Sequence, residues 1–405
     1  MRRGATLALF SAALLAVAPA VAEKKYGPGV TDAEIKIGQT MPYSGPASAN
    51  GNIGKAMLAY FAKVNDEGGI SGRKVTLLSL DDAYQPPKTL EQTRKLVEQD
   101  NVLLIFGSLG SAANTAIHKY LNTNKVPHIF ITTGLSRWGD PKNYPWTMGW
   151  QPSLQTEARI HARYILSSRP DARIAVLYQN DDFGKEMLGG LKAGLGDKAA
   201  KMIAAEVSYE VSDPTVDQQI ITLQASGADV LLHYSLSRFS AQAIRKAYDM
   251  GWKPQHILAI PAGSIAQTFK VAGVDKSIGA MTATFMKDVN DPNWANDAAG
   301  RDYFAFMKKY YPAGDPYDER HVQGYTQART LAQVLKQCGD DLTRENIIRQ
   351  AASLKNVELP MLLPGITINT SASDYHPLKQ MQMMRFDGTH WVAVGGILGA
   401  EATNR

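Results

Sequence analysis

The residues best placed to do chemistry lie in one run, Leu103-Leu104-Ile105-Phe106-Gly107-Ser108-Leu109-Gly110-Ser111-Ala112-Ala113-Asn114. An apolar stretch stops at two glycines and two serines, and a helical pattern starts directly afterwards. Glycine admits a ligand close to the backbone, and a serine at a helix start stands among N–H groups without intrahelical partners. Such a turn suits a carboxylate or similar anion, held by dipoles and hydroxyls rather than by a counter-charge. Thr132 and Thr133 end the next apolar run and are further donor candidates, with Ser136 close behind. Hydroxyls in these places also act simply as caps and turn formers, and that reading stays open for Thr132 and Ser136.

Other chemistries lack their residues. The chain has no Gly-x-Ser-x-Gly elbow, no phosphate loop ending Gly-Lys-Ser/Thr and no His-Glu-x-x-His pair, and Gly107-x-x-Gly110 lacks the glycines of a dinucleotide fingerprint. The eight histidines are scattered; His161 and His233 read as solvated or structural residues. Cys338, the single cysteine, reads as an apolar filler, since one thiol forms no internal disulfide. No enzyme activity, metal or cofactor is expected.

The elements that must position the turn follow a rhythm. Residues 35–38 alternate like a strand, and Ile53, Ala56, Met57, Tyr60, Phe61 and Val64 recur at helical spacing until Gly68-Gly69. Strands are predicted at 75–80, 102–106 and 128–131, with helices from Pro86-Pro87 to about 99 and over 111–124. After Trp150 a second series runs helix 153–167, strand 173–178, helix 183–195, strand 202–207, a helix carrying Val216, Ile220 and Leu223, strand 229–233, helix 237–250 and strand 257–260. This is an α/β pattern of two consecutive sets, each a parallel sheet covered by helices. The remainder reads as helices 297–310, 319–336 and 343–354, then short strands at 365–368, 379–386 and 390–394 with a turn at Asp387-Gly388.

The N-terminus reads as an export signal: Arg2 and Arg3, an apolar run over 5–17, and Ala20-Val21-Ala22 with cleavage after Ala22. No cysteine follows that run, so a lipid anchor is not supported, and no later stretch reaches the ~20 apolar residues of a membrane span. Residues 23–30 read as a mobile polar leader. The formal charge of +5 falls by two when Arg2 and Arg3 leave, too small an excess to suggest nucleic acid.

At this point the chain resembles the leucine-binding family of periplasmic solute-binding proteins that serve ABC importers. The matching motifs are Ile35-Lys36-Ile37-Gly38 with Ser44-Gly45-Pro46, Asn65-Asp66-Glu67-Gly68-Gly69-Ile70-Ser71-Gly72-Arg73-Lys74-Val75, Asp81-Asp82, Gly107 to Ser111, and Asn180-Asp181-Asp182-Phe183-Gly184. Their order and spacing extend from about 31 to 395. The resemblance implies two Rossmann-like lobes joined by three crossings near 149–152, 281–286 and 357–365: lobe 1 from 31–150 plus 285–358, lobe 2 from 151–282 plus 362–397. It implies a monomer that hinges shut on ligand in the periplasm and docks on a membrane permease with its ATPase. A sensory receptor domain is the rival with the same fold; it would need a downstream span or signalling domain, whereas the chain ends at Arg405.

The resemblance also assigns residues. Ser111 and the backbone at Gly110 and Gly134 hold the ligand carboxylate, with Ser136 beside them. Phe183 matches an aromatic position that covers the ligand from lobe 2, or else is a contact at the helix start. Tyr234 aligns, within a residue or two, with a second-lobe tyrosine, or is ordinary lining. Asn50 departs from an aromatic position. Trp150, at the first crossing, is the best of four tryptophans (with Trp138, Trp146 and Trp252) for stacking on an aromatic ligand. Relatives that bind α-amino acids carry a glutamate after a proline in the loop that here reads Ala259-Ile260-Pro261-Ala262-Gly263-Ser264, where Ala262 replaces it. An enclosed ammonium would then lack a partner, at about 3–5 kcal/mol. The expected ligand is therefore an aromatic or aliphatic acid without that ammonium. Branched-chain and related amino acids remain the alternative, with Asp181, Asp182 or another carboxylate substituting.

Overall fold

A computed structural model describes residues 24–399; the export signal lies outside the described residues. In chain order its strands are β1 (Lys25–Tyr26), β2 (Glu34–Met41), β3 (Lys74–Asp81), β4 (Ile105–Phe106), β5 (His128–Ile131), β6 (Thr147–Gly149) and β7 (Ile174–Gln179). They continue as β8 (Ile203–Tyr209), β9 (Val230–Tyr234), β10 (Gln255–Leu258), β11 (Met281–Thr284), β12 (Asp341–Leu342), β13 (Gln380–Phe386) and β14 (Trp391–Gly399). Ile35, Ile37, Val75, Ile129 and Ile131 are buried in a five-stranded parallel sheet of order β3-β2-β4-β5-β6. Ile174, Val176, Val230, Leu232 and Ile257 are buried in a seven-stranded sheet of order β14-β13-β11-β10-β9-β7-β8. Only β13 runs against its neighbours, on both sides. Near-continuous apolar strands fit sheets covered by helices on both faces. The protein is thus an α/β fold of two Rossmann-like lobes.

The long helix Glu319–Cys338 returns to the first sheet and packs on helix Gly51–Asp66. Gly324 permits the close crossing, since a Cβ there would collide with the Ile53 carbonyl. Tyr60, Phe306 and Tyr325 seal the contact with ring centroids 4.8–6.2 Å apart. The chain then crosses back, and the β13–β14 hairpin extends the second sheet beyond β11.

Two expectations change. Residues 25–30 are not a loose leader: β1 pairs in parallel with β12, and Val30 bridges Ile35. Tyr26 Oη accepts a 2.6 Å bond from the buried Arg73, which also pairs with Asp340. These partners lie far along the chain, so local polarity did not announce them. Residues 365–368 form no strand; Gly365 takes φ 87° and only Ile368 bridges, to Val357. Cys338 is buried, and burial pushes its thiol up to about 12, as suits an inert filler.

Candidate ligand site

The turn after β4 carries out its backbone geometry through glycine. Gly107 and Gly110 take φ of 62° and 102°, and a Cβ on Gly110 would come 2.7 Å from the Tyr84 ring. Helix Ser111–Thr123 begins there with Gly110 as N-cap and no side-chain cap. By contrast, Ser153, Asp181, Asp297, Asp318 and Thr343 each cap their helices with a side-chain oxygen. An uncapped start leaves its first N–H groups for another acceptor. Ser111 Oγ lies 2.6 Å from Thr133 Oγ1, both nearly buried, while Thr132 Oγ1 donates to the Gly107 carbonyl at 2.8 Å.

This turn forms one wall of a cavity of about 110 Å³ between the two sheets. That is the order of the ~150 Å³ apolar cavity known to accept a benzene ring. Ile53, Leu154, Phe183, Leu236, Val322 and Trp391 supply apolar wall. Lys287 and Asp288 also line it but are committed elsewhere: Lys287 bonds Asp297 at 2.6 Å, and Asp288 accepts the Trp391 N–H at 2.8 Å.

The opposite wall holds charges that sequence reasoning missed. Glu319 and Arg320 open helix Glu319–Cys338 and both line the cavity. Glu319 accepts from Ser264 Oγ at 3.0 Å and from the Ile265 N–H at 2.8 Å. Burial, with the nearby Asp288 and Asp318 charges, pushes its carboxyl up to about 7. Arg320 Nε donates to Asn50 Oδ1 at 3.0 Å, and Nη2 to Ser237 Oγ at 2.7 Å and the Pro261 carbonyl at 3.2 Å. Asp318 Oδ1 stands 3.6 Å from Arg320 Nη1. Burial opposes ionisation of Asp318, yet Arg320 and its hydrogen bonds hold that carboxyl below its ordinary value. The only local signal for this trio is an Asp at a helix start, Asp318 accepting the Arg320 N–H.

Of the residues singled out above, Asn50, Gly110, Ser111, Thr132, Thr133 and Phe183 line the cavity. Five others do not. Gly134 accepts from the Leu154 N–H behind the wall, and the Ser136 N–H is taken by Glu186 at 2.7 Å. Tyr234 points into the second lobe's core, its ring stacked on His161 with centroids 6.1 Å apart. Trp150 is fully buried, donating to Thr330 Oγ1 at 3.0 Å. Ala262 is fully buried while its neighbours Pro261 and Gly263 line the cavity, because the helical turn Ile260–Ala262 rotates it inward. Asp181 caps helix Asp182–Leu195 and Asp182 accepts from Thr115, so neither lines the cavity. Trp138 packs on His118 and Trp252 donates to the Ala228 carbonyl; the tryptophan that reaches the cavity is Trp391.

A family model described as periplasmic binding protein matches residues 34–390. The chain belongs to the leucine-binding family of periplasmic binding proteins. Within this family, Leu/Ile/Val-binding protein homolog 7 of Brucella abortus (strain 2308) is 23% identical over 391 residues, covering 93% of this chain and 95% of its own. Leu/Ile/Val-binding protein homolog 1 of Brucella suis is 25% identical over 321 residues, covering 77% and 81%. The fold is shared with a branched chain amino acid ABC transporter protein from Thermus thermophilus with bound valine, at TM-score 0.81 and 16% identity over 91% of this chain and 97% of that one. It is shared equally with a fatty acid ABC transporter substrate-binding protein from Thermomonospora curvata, at TM-score 0.80 and 22% identity over 93% and 95%.

Proposed function

We propose that this periplasmic binding protein captures a small carboxylate-bearing solute with an apolar body and delivers it to the permease and ATPase of an ABC importer. The observation that carries the reading is the uncapped helix start at Gly110–Ser111, paired with Thr133 on a neutral wall of the cavity that also has apolar lining. N–H dipoles and hydroxyls there satisfy a carboxylate without a formal counter-charge. The protein binds and releases rather than transforms, works as a monomer, and reaches the periplasm after cleavage behind Ala22. Its moving bodies are 31–150 with 285–358 and 151–282 with 362–397, which close by a hinge motion when ligand bridges them.

The favoured ligand is an aromatic or aliphatic acid, because the loop 259–264 presents no carboxylate to an ammonium: Ala262 is buried behind it. One observation favours the amino acid reading instead. Glu319 reaches that same loop from the other side and lines the cavity, supplying a carboxylate where Ala262 has none. Isothermal titration against leucine, benzoate and cinnamate separates the two. Benzoate or cinnamate binding with no response to leucine is the expected result; tight leucine binding with no response to the acids overturns it.

A further inference from the structure

A second hollow opens outward beside the ligand cavity, between the loop 45–50 and helix Ser237–Asp249. The two spaces share Asn50 and Leu236 as wall, and Arg320 spans the partition between them. Its guanidinium grips Asn50, beside helix Gly51–Asp66 of the first sheet, and Ser237, at the start of a helix of the second sheet. Separating the sheets must break that grip, whereas Asp318, on the same helix start, travels with Arg320 and keeps its charge partnered. The planar fork of arginine suits a span between two fixed acceptors better than a lysine would.

The outer hollow is basic. Arg238 and Arg245, seven residues apart on one helix face, line it, and no carboxylate does. Neither guanidinium is ion-paired among the described residues; their bonds go to the Pro214 and Val271 carbonyls, at 3.0 and 2.8 Å, which leave the charge uncompensated. We infer that this hollow is the cleft's entrance, where Arg238 and Arg245 collect a carboxylate ion, and that Arg320 is the gate between entrance and cavity. The entrance rests on the carboxylate reading above; the gate does not. Rim charges act mainly on arrival rates, and contacts that hold a closed cleft act on departure rates.

Stopped-flow tryptophan fluorescence can read both, since Trp391 lines the cavity. With benzoate as probe at low ionic strength, Arg238→Gln/Arg245→Gln should slow association about five- to tenfold, flatten its salt dependence and leave dissociation unchanged. Arg320→Gln should speed dissociation at least about tenfold with association within about twofold. Arg320→Lys should do the same while keeping a charge beside Asp318, which guards against a variant that merely misfolds. Unchanged association in the double variant overturns the entrance, and unchanged dissociation in both Arg320 variants overturns the gate. If benzoate, cinnamate and leucine all fail to bind the wild type, the carboxylate reading has failed and the entrance with it. Ligand-free X-ray scattering then still decides the gate: a larger radius of gyration for Arg320→Lys supports it, and an identical one overturns it.

Discussion

Two helix starts meet at the cavity and treat their backbone donors in opposite ways. Helix Ser111–Thr123 starts on Gly110, which has no side chain to cap it, and its wall is neutral: two hydroxyls 2.6 Å apart. Helix Glu319–Cys338 starts on Asp318, which consumes the Arg320 N–H, and its next two side chains reach across to loop 259–265 and Ser237. An open helix start keeps its donors for a ligand; a capped one is free to use its side chains as connections between lobes. Under the proposed function, binding and closure fall to different ends of the same cleft.

The largest expected effect comes from uncapping the second start. Asp318→Ala removes both a cap and the partner of a buried guanidinium, so urea denaturation should show a loss of about 3–5 kcal/mol. A loss below about 1 kcal/mol would mean that Arg320 carries no cost when left alone. The first start should respond in the reverse way. Ser111→Ala with Thr133→Val should weaken a bound acid by about 1.5–3 kcal/mol, roughly ten- to a hundredfold in Kd, while folding stability moves by about 1 kcal/mol or less. Calorimetry on each single variant should reveal non-additivity, because the hydroxyls bond each other.

A pH-dependent effect concerns Glu319, whose carboxyl stands near 7 in the folded protein, through burial first and neighbouring carboxylates second. A raised folded-state value means the native protein holds this proton after the unfolded chain has lost it. Its contribution therefore falls as pH rises from about 4.3 to 7 and is constant above that. Relative to wild type, Glu319→Gln should gain on the order of 3–4 kcal/mol across that window, read from urea denaturation at several pH values. A difference independent of pH would show that the carboxyl titrates normally. The smallest effect belongs to Ser136→Ala, since Ser136 meets Glu186 and His376 behind the wall; calorimetry should find Kd within about twofold of wild type.

Much of the first wall was legible because its signals are local. Apolar runs of four or five residues, glycines at positive φ and a helix period identify strand, turn and helix within twenty residues of each other. The second wall was not, because its contacts join residues 83 and 270 positions apart. Alternation also misled where one residue decides the direction. Tyr234 ends β9 facing His161 in the core, and Ala262 turns inward between two residues that face the cavity. Trp150 sits near the cleft in sequence but spends its ring on Phe285 and its N–H on Thr330.

By itself, the sequence determined the two α/β sets, the family and the glycine turn that opens helix Ser111–Thr123, since periodicity and backbone freedom are properties of neighbouring residues. Only the tertiary structure decided that residues 25–26 are pinned by 341–342, that Trp391 rather than Trp150 reaches the cavity, and that Glu319 stands where Ala262 has no charge to offer. The physical reason is the same in each case. Burial and charge pairing are set by whichever distant segment fills the opposing space, and that segment is chosen by packing two sheets against each other.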